Sequence, residues 1–277
     1  MTPDPAPTAP VAGESAAPHH RVNIVTLDGK HGASIALPDA FSAPVRPDLI
    51  ARAVVAAQSH RRQPYGTSPT AGNRHSVRWS GKGKGVSRTP RLMDSMTGAQ
   101  APNTVGGRPA FPPRVDRIWT KKINRKERQL AFASALAATR DAKLAAARGH
   151  RVPHGLHLPL VLEDPVEEIV TSAAAQSLLM RLKLWADVVR AQDGTHLTSS
   201  GRARRRGRVR RTPRSLLLVT SGPQKARGFR NLPGVEVVPA QRLATEDLAP
   251  GGVAGRLTLY STGAVESLRA RLGGPPA

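Results

Sequence analysis

Glycines alternating with lysines offer the first chemistry in this sequence. Ser80-Gly81-Lys82-Gly83-Lys84-Gly85 sets backbone amides beside ammonium groups, a composition that can cradle phosphate. Its spacing departs from a nucleotide loop. No G-x-x-x-x-G-K-[ST] is present, no apolar strand precedes the segment, and Pro90 stands where a phosphate-binding helix would run. A flexible cationic loop is the expectation. His150, His154 and His157 fall close together, but Pro153, Gly155 and Pro159 keep them off one regular helix, and no carboxylate completes a zinc spacing. No metal site is expected. Glu163, Asp164, Glu167 and Glu168 could serve acid–base chemistry. The simpler expectation is a solvated loop and the acidic first turn of a helix. Without a G-x-S-x-G elbow or a nucleophile beside a base, no catalytic residue and no cofactor is expected.

The remaining chemistry is cationic. The 277 residues carry 42 Lys and Arg against 19 Asp and Glu, a net charge of +23 that calls for a polyanionic partner. Two segments hold nearly all of it. Between His60 and Arg128 there are 16 Lys/Arg and three acids (Asp94, Asp116, Glu127), and between Ser199 and Arg214 there are eight Arg and no acid. The rest, with 18 basic and 16 acidic residues, has the charge of an ordinary folded domain. Nucleic acid is the economical partner. Stacking modules need aromatic platforms on a sheet, whereas here Tyr65, Trp79, Phe111 and Trp119 lie within the first insert and the body has no aromatic strand. Contact through phosphates is therefore expected from Arg61, Arg62, Arg74, Arg78, Lys82, Lys84, Arg88, Arg91, Arg108, Arg114, Lys121 and Lys122. A second patch is expected from Arg202, Arg204, Arg205, Arg206, Arg208, Arg210, Arg211 and Arg214.

These side chains need a scaffold. Arg21 to Leu27 alternates, and Asp28-Gly29 leads to a second apolar stretch, Ser34 to Leu37, which together predict a strand pair. Pro47 opens a helical spacing of Leu49, Ile50, Ala53, Val54 and Ala57 that leads into the first insert. From Pro64 to Pro113 glycine and proline recur every few residues, so extended backbone without a core is expected over this long connection. Asn124 and Glu127 resemble a capping box for a returning helix that ends near Gly149 and packs beside the first. Strand candidates follow at Leu156 to Leu162, Asp187 to Arg190, Ser215 to Val219, Val235 to Val238 and Arg256 to Tyr260. Helices are expected at Thr171 to Lys183, Gln224 to Asn231 and Gly263 to Leu272. The order predicts an α/β fold, a small mostly parallel sheet flanked by helices with a long extended basic internal loop. The organisation expected is a flexible tail over residues 1–20 and a single domain over 21–277, interrupted by a loop over about 60–123 and an Arg-rich insert over about 195–214.

Composition bounds the remaining classes. Only nine residues are aromatic, yet 39% are apolar, enough for one core. The absence of cysteine removes disulfides, thiolate metal sites and cysteine nucleophiles, and suits a reducing interior. No apolar run reaches the roughly 18 to 20 residues that span a bilayer, so no membrane partner is expected. The Pro- and Ala-rich start lacks the pattern of a secretory signal.

Several separated blocks resemble the universal large-subunit ribosomal protein four family in its archaeal and eukaryotic form. They are Arg46-Pro47-Asp48-Leu49-Ile50 with Ala56-Ala57-Gln58, the loop Ser80 to Gly85 with Arg88-Thr89-Pro90-Arg91, and Gly106-Gly107-Arg108-Pro109-Ala110-Phe111-Pro112-Pro113. Asn124-Arg125-Lys126-Glu127-Arg128 with Ser134 to Thr139 follows, and Thr245 to Gly252 with Gly255-Arg256-Leu257-Thr258 resembles the archaeal version particularly. The resemblance implies a structural constituent of the large subunit in the cytoplasm. Its α/β body would lie on the outside of the subunit, and its loop would thread through ribosomal RNA to the wall of the nascent-peptide exit tunnel beside the family-twenty-two protein. Tunnel-proximal residues would be Gly83, Lys84, Gly85, Arg88, Arg91 and Met93, within a tip spanning Gly81 to Thr97. Large-subunit ribosomal RNA, neighbouring ribosomal proteins and the nascent polypeptide are the implied partners. Departures are the tail before His19 and the Arg density of the second insert, and the long C-terminal extension of eukaryotic members is absent. Two other functions compete: a translational regulator binding messenger RNA, and a nucleotide-dependent RNA-processing enzyme using Gly81 to Gly85.

Overall fold

A computed structural model describes residues 21–153 and 155–273. The tail expected over residues 1–20 lies outside the described residues, as does His154. In chain order come strands β1 (Arg21–Val25) and β2 (His31–Ala36), helix α1 (Pro47–His60), two-residue strands β3 (Val77–Arg78) and β4 (Arg91–Leu92), and helices α2 (Arg125–Ala138) and α3 (Ala142–Ala147). Then follow strand β5 (Leu160–Leu162), helices α4 (Ser172–Arg181) and α5 (Trp185–Asp193), strand β6 (His196–Leu197), helix α6 (Gly201–Arg205) and strand β7 (Arg210–Arg211). The chain closes with β8 (Leu217–Thr220), β9 (Glu236–Pro239), α7 (Thr245–Leu248), β10 (Thr258–Ser261) and α8 (Thr262–Leu272). No helix among the described residues is long and apolar enough to cross a membrane. The described residues divide into two compact units, residues 56–122 and those on either side of them.

In the larger unit six strands form one sheet in the order β2-β1-β5-β10-β8-β9. All neighbours pair in parallel except β2, which runs antiparallel to β1 at the edge. The expected mostly parallel sheet is thus present, and its central strands show why. Strands covered on both faces must be apolar at every position, and β5 reads Leu160-Val161-Leu162. Leu160, Leu162, Leu218 and Leu259 face Ala145 of α3, Leu178 and Leu179 of α4 and Val188 of α5. Val161, Leu217, Val219 and Tyr260 face Ile50 and Val54 of α1, Leu136 of α2 and Leu268 of α8. Each fully buried residue of this size contributes about 1.5–3 kcal/mol. Helices α1 and α2 pack as expected, with Leu49 and Ala53 against Ala131.

Four expected elements differ. The helix expected from Asn124 to Gly149 is two helices. Thr139 turns its hydroxyl back on the Leu136 carbonyl at 2.7 Å, and extended Asp141 caps α3 by accepting from the Lys143 N–H at 2.8 Å. Asn124 does precede α2, but its side chain makes no cap hydrogen bond, and Glu127 pairs instead with Arg52 at 3.2 Å. The strand expected at Asp187 to Arg190 is part of α5, because the buried positions Leu184, Asp187, Val188 and Ala191 recur at helical spacing over a longer window. The strand expected from Leu156 starts only at Leu160, after Pro159, which has no N–H for a ladder. Gln224 to Asn231 forms only a 3-10 turn, Arg227–Asn231.

In the smaller unit only Ala56, Pro90 and Ala99 are buried. Tyr65, Trp79, Val105, Phe111 and Ile118 are exposed, so no apolar core forms, as its composition predicts. Backbone pairing holds the arms instead. The Thr67 N–H donates to the Pro113 carbonyl at 2.9 Å and β3 pairs with β4, while the Gln100 side chain adds a bond from Nε2 to the His75 carbonyl at 2.6 Å.

Candidate nucleic-acid interface

Two cationic segments, one in each unit, are each a candidate site. The Arg-rich insert is a hairpin, with His196 opposite Arg211, Leu197 opposite Arg210, and α6 at its tip. The Thr198 N–H donates to the Val209 carbonyl at 2.9 Å, and Thr195 and Thr212 join their hydroxyls at 3.1 Å across its base. Arg202, Arg204, Arg205, Arg206, Arg208, Arg210 and Arg211 are all exposed. Arg214 differs: it ion-pairs with Glu236, which also accepts from buried Arg256 at 2.7 Å. Arg214 thus belongs to the root of the hairpin as well as to its charge.

That root rests on a carboxylate whose role the sequence did not disclose. Asp187 is fully buried and accepts from the Arg151 N–H at 2.9 Å, Arg190 Nε at 2.8 Å, His150 Nδ1 at 3.0 Å and Ser215 Oγ at 2.7 Å. Arg190 in turn donates to the Arg214 carbonyl at 2.9 Å, fixing where the second arm of the hairpin rejoins the sheet. Burial would raise the Asp187 carboxyl, but hydrogen bonds from His150 and Arg190 outweigh it and hold the group well below the usual carboxylate range. His150 is therefore spent on a buried contact, while His157 is exposed.

The long insert places its cations differently. Arg61, Arg62, Arg74, Arg78, Lys82, Lys84, Arg88, Arg108, Arg114, Lys121 and Lys122 are exposed. Arg91 is half-buried, donating to the Met96 carbonyl and, at 3.1 Å, to Ser87 Oγ, so it braces the tip from inside. Two turns make up that tip. Residues 79–90 join β3 to β4, and the second turn, with exposed Met93 and Met96, closes where the Leu92 N–H donates to the Thr97 carbonyl at 3.0 Å. Gly83 adopts φ +78 with nothing within 4 Å of where a Cβ would lie, so Lys82 and Lys84 flank an open turn and no helix follows it. The guanidiniums of Arg62, at 4.4 Å, and Arg117, at 5.1 Å, each lie over the Trp119 ring. Arg117 was not among the expected contacts. Its signal in the sequence was only its place two residues before a tryptophan.

Of the four acids, Asp164 and Glu168 are exposed and Asp164 opens the first turn of a 3-10 helix, as expected, whereas Glu167 departs from the solvated setting. Glu167 is buried in the 3-10 turn Asp164–Glu168 and accepts from the Ser221 N–H at 2.5 Å, Ser221 Oγ at 2.8 Å, Lys225 Nζ at 2.5 Å and Ser261 Oγ at 2.6 Å. Burial opposes its charge, but these donors prevail and keep its pKa low, and Glu167 raises that of Lys225. The carboxylate clamps the carboxyl ends of β5, β8 and β10, three strands that the sequence alone leaves unordered. A donor set this complete serves cohesion.

The model of the ribosomal protein L4/L1 family matches residues 35–271. The chain is 43% identical over 251 residues to the large ribosomal subunit protein uL4 of Methanococcus vannielii, covering 90% of this chain and 99% of that one. It is 41% identical over 249 residues to uL4 of Methanosphaera stadtmanae, covering 90% and 96%. With uL4 of Halobacterium salinarum it shares 41% over 254 residues, covering 91% and 100%.

Proposed function

This chain belongs to the ribosomal protein L4/L1 family, and from that premise we propose that it is a non-catalytic structural constituent of the large ribosomal subunit in the cytoplasm. It binds ribosomal RNA and neighbouring ribosomal proteins there. Residues 21–277 act as one ribosomal-protein domain from which the loop and the Arg-rich insert extend into RNA. One observation carries this reading: both cationic segments project on backbone-paired frames with no apolar core, and their Arg and Lys residues stand almost entirely exposed. Such frames present charge to phosphate, and counterion release on contact offsets the entropy of ordering them. The tip bearing Gly83, Lys84, Gly85, Arg88, Arg91 and Met93 lines the nascent-peptide exit tunnel, beside the family-twenty-two protein.

Charge reversal tests the assignment. The triple variant Arg204→Glu, Arg205→Glu, Arg206→Glu should weaken binding to large-subunit ribosomal RNA at 0.15 M salt at least about 100-fold, since three phosphate contacts are replaced by repulsion. Its melting temperature should stay unchanged, because none of the three side chains is buried. Filter binding across a salt series measures both affinity and slope, and an unaltered slope would reject the hairpin as an RNA contact.

A further inference from the structure

A third cationic feature belongs to neither projection. In the larger unit, between β1, the segment entering β5 and the C-terminal turn of α4, lies a cavity of about 660 Å³. Arg21, Arg140, Arg181 and Lys183 line it, together with His31 and His157, and among the described residues its lining includes no Asp or Glu. Its apolar lining includes Val25, Leu156 and Leu158. The cavity has a local cause. Strand β1 turns Arg21, Asn23 and Val25 to one face, yet only Val25 is buried, so the helical layer leaves the first half of the strand open. Arg181 is steadied by Asp28 Oδ1 at 3.1 Å and the Leu27 carbonyl at 3.4 Å.

Lys183 adds an independent observation. It sits just past the end of α4 at φ +58, where the Leu184 N–H closes the helix on the Leu179 carbonyl at 2.8 Å. Glycine suits that left-handed position, and a lysine there is held at a conformational cost. The strained position sets the Lys183 ammonium on the cavity wall.

We propose that this cavity receives one unpaired ribonucleotide of the large-subunit ribosomal RNA, its phosphate on Arg21, Arg140 and Lys183 and its base against Leu156 and Leu158. The inference rests on the ribosomal reading above and adds a specific site on the body. A cavity of this volume lies in the range of small-molecule sites, about 300–1,000 Å³, and is far larger than a lone phosphate needs. A base stacked and paired within a duplex cannot reach into a recess of the protein, whereas an unstacked one can.

The test uses the full chain, large-subunit ribosomal RNA and filter binding over a salt series, with chemical probing of the bases. The double variant Arg21→Gln, Lys183→Gln should bind about 30-fold more weakly at 0.15 M salt, with the salt slope shallower by about 2. Lys183→Gly should flatten the slope by about 1 while its melting temperature stays equal or rises, since glycine relaxes the backbone. An unpaired base protected by the unaltered chain should lose protection in both variants. Unchanged affinity and slope in both variants, while the triple Arg-to-Glu hairpin variant still loses affinity, overturn the pocket alone, as does protection confined to paired regions. Failure of the unaltered chain to bind the RNA overturns the ribosomal reading itself, and the pocket with it.

Discussion

Five hydrogen bonds converge on Asp187, a side chain with no exposed surface. A buried charge is tolerated only when its lone pairs are met, and removing the charge leaves its donors facing a poorer acceptor. Asp187→Asn should therefore destabilise the larger unit by about 3 kcal/mol, read as a drop in the midpoint of chemical denaturation. The folded carboxyl titrates below its ordinary value, so its contribution is complete above about pH 5 and is lost as the pH falls through the acid range. Acid titration of stability should show that loss in the parent chain and a smaller one in the variant.

Close approach of two arms, not burial, gives the long insert its shape. A Cβ at Gly72 would lie 2.5 Å from the backbone N and Cα of Arg108, and Gly72 also adopts φ +77. Gly72→Ala should therefore splay the arms, with a strain of about 1–2 kcal/mol before any clash is counted. Because no core cluster of the larger unit includes Gly72 or Arg108, the melting temperature should hold while RNA affinity falls about 10-fold in filter binding. The Arg-rich hairpin is built the other way. Its strands are only two residues long, and Asp187, Arg190 and the Thr195–Thr212 pair fix it at the root.

For the whole molecule, all three apolar clusters draw their residues from outside 56–122. A Cβ on Gly66 would stand 2.6 Å from the Val115 nitrogen, so the two ends of the insert already meet. Deleting residues 66–115 should leave a soluble, cooperatively melting protein. In cells the same deletion should impair large-subunit assembly or tunnel passage, seen as a loss of mature particles in sucrose gradients; normal particles and normal translation would contradict the proposed role of the loop.

What the residues determined alone were the features that depend on local pattern or on the sum of charge. The apolar runs at Leu160 to Leu162 and Leu216 to Val219 required a sheet covered on both faces, and the density of Arg, Gly and Pro required exposed, coreless inserts. Blocks such as Arg46 to Ile50 and Gly106 to Pro113 carried the family resemblance. Tertiary structure decided what depends on distant partners. Asp187 read as part of a strand because a four-residue window cannot distinguish periods of 2 and 3.6, and Glu167 read as solvated because Ser221, Lys225 and Ser261 lie more than 50 residues away. The cavity of Arg21, Arg140, Arg181 and Lys183 was invisible for the same reason: its cations come from separate segments of a nearly neutral body, and only packing brings them together.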